Sequence, residues 1–273
     1  MLYHAFNEIL DSEKNNNCII CAHGPSSEKY ISKIEDLQKN NTILRFSVNS
    51  WWEYFSIPPD YFCLANSLLT IDKFIDKFLV KTIFYADSAD LTPRVNIQNS
   101  KINIFGYDQR HFGEQSCKSI LRQRCNHVDV CNNRIMWDDG RDLEYAGFDP
   151  DGRCCKHMLN GRKTIQEYLM DLCGTNQHYS TGDTVVFHAI AFAIILGCNP
   201  IYVAGMDLNY SLGYINNQQA PYINDEWRKY KRNTINDLEI LQKSAQNRGI
   251  EIINLTSDPW YGTIFPLRNT IAI

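Results

Sequence analysis

The stretch TGDTVVFHAIAFAIILGCNPIYVAGMDLNY, residues 181–210, spells out a helix, a turn and a buried strand in succession. Val185, Val186, Ala189, Phe192, Ala193 and Leu196 recur at three- and four-residue steps, so residues 183–196 read as a helix with one apolar face. Its start falls at Thr181 or Gly182, with Asp183 and Thr184 in the first turn, where an acid or hydroxyl meets free backbone N–H groups. Gly197 stops the helix and Pro200 forbids its return. Residues 201–204 are then a short apolar run of the kind a parallel strand covered on both faces requires. The strand ends in Gly205-Met206-Asp207. In an open α/β sheet the ligand crevice lies beyond the carboxyl ends of the strands, so Gly205 and Asp207 are candidate site residues; a plain turn with a capping acid is the competing reading.

Working outward, residues 18–22 form a first strand that runs into His23-Gly24-Pro25-Ser26-Ser27 and a helical segment over 28–39, with Tyr30, Ile31, Ile34 and Leu37 on one face. Strand, glycine turn, serine, helix is an arrangement that can aim N–H groups and a hydroxyl at an anion, although a serine there can also simply cap the helix. A second strand, 42–48, delivers Asn49, and a third, 61–65, delivers Asn66. A carboxamide both donates and accepts, which suits reading a base or ribose; asparagine is equally a turn residue. Trp51, Trp52, Tyr54 and Phe55 between them pack under a loop or line a pocket. Residues 71–79 read as helix and 81–85 as a fourth strand followed by Asp87 and Asp90. This βαβ order predicts an α/β, Rossmann-like, mostly parallel sheet with helices on both faces, in a single domain over 1–273.

Residues 92–174 differ: charged, polar and cysteine residues dominate and few stretches resemble a core strand, so they read as an irregular inserted lid region. Asp149-Pro150-Asp151 imitates a metal-chelating DxD, but DPDG is itself a turn sequence. Of the ten cysteines, Cys18 and Cys21 fall in a strand and read as buried thiols. Cys117, Cys125, Cys131, Cys154, Cys155 and Cys173 with His127 and His157 lack paired CxxC spacing, so no metal site is assigned. Residues 225–247 read as a long helix with Arg228, Lys229, Lys231 and Arg232 near its start, and 250–255 as a last strand.

The net charge of −4 and pI near 6.0 give no broad attraction to nucleic acid. The first residues lack the positive start and apolar run of a secretory signal, and the apolar stretch 185–205 is broken by His188, Gly197, Asn199 and Pro200. The expectation is a cytoplasmic protein, with peripheral attachment to a membrane and homo-oligomer formation left open.

Together, the strand-HGPSS turn, the two strand-end asparagines and G-x-T-V-x3-A-x3-A-x2-L-G-x2-P-I-x-V-A-G-x-D-L-x-Y resemble the hydroxymethyl-dihydropterin pyrophosphokinase-like and motility-associated flagellin glycosyltransferase proteins. They bear a more distant likeness to bacterial lipooligosaccharide sialyltransferases. The resemblance covers residues 18–90 and 181–255. It implies a nucleotide or nucleotide-sugar site with no metal: Gly24, Pro25 and Ser26 at the donor phosphates, Asn49 and Asn66 at the nucleotide, Asp207 at the ribose or cytosine side, and Tyr214 near the departing phosphate. Thr184 and Gly205 join this binding set. Where those sialyltransferases place a catalytic histidine, just before their last long helix, this chain has Lys229 to Lys231. A general base must come from elsewhere; His23 and His178, beside the crevice, are the candidate catalytic histidines, either placed to help bind phosphate, and His188, inside the helix, reads as an interior residue.

The leading expectation is a transferase that passes a nucleotide-activated sugar, CMP-linked in its narrower form, to a surface glycan or protein acceptor without a cofactor. The alternatives are an ATP-dependent pterin-type pyrophosphokinase with magnesium held by Asp87, Asp90 and Asp207, and a nucleotide-binding module without catalysis.

Overall fold

The computed structural model describes residues 2–3, 6–64, 80–86, 103–107, 135–136, 142–143, 165–175, 184–208, 215, 224–256 and 264–272. Its strands are β1 (Leu2–Tyr3), β2 (Cys18–Cys21), β3 (Leu44–Val48), β4 (Tyr61–Leu64), β5 (Thr82–Ala86), β6 (Asn103–Tyr107), β7 (Ile135–Met136), β8 (Asp142–Leu143), β9 (Ile201–Ala204) and β10 (Ile252–Asn254). The helices are α1 (Ile31–Lys39), α2 (Ile165–Cys173), α3 (Val185–Ile195) and α4 (Asn224–Asn247). Eight strands form one sheet in the order β1-β6-β5-β4-β3-β2-β9-β10, and every pair in it is parallel. The short β7 and β8 pair antiparallel with each other. The chain therefore has the α/β, Rossmann-like architecture its sequence predicts.

Alternation along the strands divides the core in two. Cys18, Ile20, Phe46, Cys63, Phe84, Phe105, Val203 and Ile252 pack on one face against α2, α3 and α4. Ile19, Cys21, Phe62, Ile83, Tyr202 and Ile253 pack on the other with Tyr30 and Ile34, and with Trp51 and Phe55. Cys18 and Cys21 are buried thiols on opposite faces, as expected, and burial raises the pKa of both.

Helix α3 is buried along its whole length, as expected: each residue from Val185 to Ile195 is covered, because the sheet lies under it while α2 and α4 pack around it. One expectation needs correction: Thr184 is not in its first turn but is the N-cap, extended at φ −129° and ψ 128°, with its hydroxyl accepting from Val186 N at 3.4 Å. Within residues 92–174, read as holding few core strands, two described elements reach the core. Asn103–Tyr107 is a strand between β1 and β5, and Ile165–Cys173 is a helix whose Ile165, Leu169 and Cys173 enter the core.

The segment after β2 is also two helices in series, a 3-10 turn over Pro25–Tyr30 followed by α1. The expected helix over 71–79 lies outside the described residues, as do Asp149-Pro150-Asp151 and the cysteines and histidines of 117–157. No described helix is long and apolar enough to cross a membrane.

Candidate functional site at the strand-order reversal

From β2 the chain winds outward through β3, β4, β5 and β6, then returns to place β9 on the other side of β2. The gap between β2 and β9 is thus a topological switch point, and the crevice beyond its carboxyl end is where open α/β sheets place ligands. The loops entering it begin with His23-Gly24-Pro25-Ser26 after β2 and Gly205-Met206-Asp207 after β9.

These two loops touch. Gly24 N donates to Gly205 O at 2.8 Å, and Ser26 N donates to Asp207 Oδ2 at 2.9 Å. The approach is closer than any side chain permits: a Cβ at Gly24 would fall 2.3 Å from Asp207 Oδ2 and 2.4 Å from Gly205 O. Gly205 has the same constraint in reverse, with φ +73° and a would-be Cβ 2.5 Å from Ala22 O. Ser27 stiffens the turn, its hydroxyl donating to Gly24 O at 2.9 Å. Asp207 itself is only 5% exposed.

On the other side of β2, the β3 end joins the same rim. Cys21 is in register with Ser47, which brings His23 beside Val48, and His23 Nε2 donates to Val48 O at 2.7 Å. The imidazole also meets the Tyr54 ring edge-on at 4.9 Å, and His23 O accepts from Ile215 N at 2.9 Å. Burial lowers the His23 pKa against the opposing pull of its bond to Val48, so the ring is held neutral with its proton on Nε2. Asn49 follows at φ 44°, a left-handed conformation that asparagine tolerates better than most residues. Its Oδ1 and the hydroxyl of Ser26 are buried and make no hydrogen bond among the described residues. Both atoms are free, among the described residues, to bond a ligand's hydroxyl or amino groups.

The structure thus brings Gly24, Pro25, Ser26, Asn49, Gly205 and Asp207 to one end of the sheet, with His23 among them. Thr184 serves as the cap of α3. Asn66, His178, Tyr214, Asp87 and Asp90 lie outside the described residues. His188 is interior at 1% exposure, as expected for a histidine one turn into a buried helix. Among the described residues no group of three or more His, Cys, Asp or Glu side chains could hold a metal ion.

The pairing of Asp207 with the Ser26 N–H had no counterpart in the sequence reading, since 181 positions separate the two residues. The clue available was that a glycine occurs at both loop starts, as close passage of two backbones demands.

No protein-family model matches the chain, and no curated protein matches it. Among solved structures it is similar to the sialyltransferase CstII from Campylobacter jejuni in complex with the substrate analogue CMP-3FNeuAc, at 15% identity over 94% of this chain and 89% of that one, with a TM-score of 0.44. The CstII complex with cytidine-5'-monophosphate gives 17% identity, the same coverage and a TM-score of 0.45. The complex of that enzyme with a trisaccharide acceptor and CMP gives 16% and 0.44. The likeness is distant.

Proposed function

We propose that the protein is a glycosyltransferase that takes a nucleotide-activated sugar as donor, CMP-linked in the narrower form, and modifies a glycan or protein acceptor. The observation that carries this reading is the convergence of Gly24, Ser26, Asn49 and Asp207 on the switch point, with Ser26 Oγ and Asn49 Oδ1 buried and unbonded among the described residues. The resemblance of the 181–210 stretch and the HGPSS turn to nucleotide-sugar transferases supports the same assignment.

Sugar transfer from a nucleotide needs the charge developing on the leaving phosphate to be held, and a base for the acceptor hydroxyl. In this reading the nucleoside lies over the β2 and β9 tips, where neutral donors and acceptors are concentrated. His23 shapes the rim through Nε2 and Val48 O, so that nitrogen is not the base. His178 is the proposed base and Tyr214 the proposed contact to the departing phosphate. The reaction in this form requires no cofactor.

Thermal-shift titration with CMP, UDP, GDP and ATP, each with and without magnesium, tests the reading. Stabilisation by CMP independent of metal, followed by consumption of a CMP-sugar with an acceptor, is the expected result. Stabilisation only by ATP with magnesium would replace it with diphosphate transfer to a pterin-like alcohol. Binding with no donor consumed would leave a nucleotide-binding module.

A further inference from the structure

The turn after β2 has the form of an anion-binding turn: a strand, a glycine and the first N–H groups of a helical segment. In this protein that position already holds an anion. Ser26 N donates to Asp207 Oδ2 at 2.9 Å, and the same oxygen sits against Gly24 so closely that not even a methyl group would fit between them. The carboxylate is buried, arrives on the opposite loop of the switch point, and is anchored there by the neighbouring Gly24 N to Gly205 O bond.

We infer that Asp207 is a positioning residue, the resident anion of the Gly24–Ser26 turn, and that it keeps a ligand's phosphate away from this turn. Two negative groups cannot share one N–H in a site of reduced dielectric without strong mutual repulsion. The ligand groups that meet the turn are therefore uncharged hydroxyl or amino groups, which match the unbonded Ser26 Oγ and Asn49 Oδ1. The phosphate of the donor binds elsewhere in the crevice. This departs from the role that the family resemblance implies for Gly24, Pro25 and Ser26. It rests on the nucleotide-binding reading for its functional meaning, while the occupancy of the turn by Asp207 can be tested without any nucleotide.

The test compares wild type with Asp207→Ala and Asp207→Asn, using sodium formate, sodium phosphate and a sodium chloride control. Removing the carboxylate in Asp207→Ala leaves the Ser26 N–H without its anion, so formate and phosphate should restore roughly half or more of the lost Tm, while neither raises the wild-type Tm above chloride. Equal responses of Asp207→Ala and wild type to these anions would overturn the inference.

Asp207→Asn keeps an oxygen for Ser26 N but removes the charge, and covers the case in which the alanine variant fails to fold. Its affinity for a nucleotide should rise about tenfold relative to its affinity for the matching nucleoside, compared with wild type. A merely structural role would weaken both ligands together and leave that ratio unchanged, which would also overturn the inference. If wild type binds neither nucleotide nor nucleoside, the functional reading fails, and the formate and phosphate responses still decide whether Asp207 is the anion of the turn.

Discussion

His23 Nε2 donates to the carbonyl of Val48 at 2.7 Å, joining the ends of two neighbouring parallel strands at the rim of the crevice. Burial holds the imidazole below its ordinary pKa, so the folded state favours the neutral ring. In the unfolded chain the same residue takes up a proton near its usual value of about 6.5. The unfolded state therefore binds more protons as pH falls through that value, and stability is lost toward acid until the folded imidazole also protonates. Chemical denaturation between pH 7.5 and 5 should show the loss. His23→Gln, whose amide can still donate to Val48 O, should lose less stability over that range than wild type.

Gly24 faces a stricter limit, imposed by space. A methyl group there collides with Asp207 Oδ2 and Gly205 O, one a side chain that can move and the other backbone that cannot without shifting β9. Gly24→Ala should cost about 1–3 kcal/mol by urea denaturation and abolish nucleotide-induced stabilisation. Gly24→Ala combined with Asp207→Ala should recover only part of the stability, because the Gly205 carbonyl remains. Full recovery would show that the carboxylate alone sets the spacing.

At the opposite end of the strands Glu13 is buried between the starts of β4 and β5. Burial pushes its pKa up, but hydrogen bonds from Lys81, Tyr61 and Asn16 more than offset this and hold it below the ordinary glutamate value. A carboxyl with a lowered folded pKa contributes stability above its unfolded pKa and loses it as pH falls through the folded value. Glu13→Gln should destabilise by about 2 kcal/mol at pH 7 and flatten the acid limb of the stability curve below the glutamate range. Parallel acid limbs for the two proteins would refute the assignment.

Arg45 is fully buried in β3, with its guanidinium 4.1 Å from the Phe55 ring centre and one hydrogen bond to Ile57 O. Its Nε and Nη1 have no hydrogen-bond partner among the described residues. A buried cation with unmet donors is costly, so an apolar side chain of similar length should serve as well. Arg45→Met should be neutral or stabilising, whereas Arg45→Ala should cost about 2–4 kcal/mol through the cavity beneath Trp51 and Phe55. The order of the two variants in thermal denaturation is the measurement; methionine worse than alanine would mean that the charge itself is needed.

Residues 201–204 and 18–22 were legible as buried strands because each is a short apolar run ending in a glycine turn, and both are interior strands of the sheet, flanked on each side by a parallel neighbour. Asn103–Tyr107 was not, because two ladder neighbours and a phenylalanine at its centre, not its own composition, make it a strand. Helix α3 was legible in position and in burial, because its apolar run carries no charged residue and only His188 among its polar ones. Of the site, the individual tips at Gly24, Asn49 and Gly205 were readable as turns. Their meeting in one crevice came from the resemblance and from the strand-end rule for open α/β sheets, not from local pattern, since adjacency across a parallel sheet depends on strand order and no local pattern encodes the return of the chain from β6 to β9.

That return also governs how the molecule must assemble. Ile20 aligns with Val203 in the ladder that joins β2 to β9, so the two halves of the crevice are synthesised far apart in time. An amino-terminal fragment ending before β9 would present an open edge at β2 in place of a crevice, a surface prone to pairing with other chains. Refolding should be slow for the same reason, limited by the search that brings these distant segments into register.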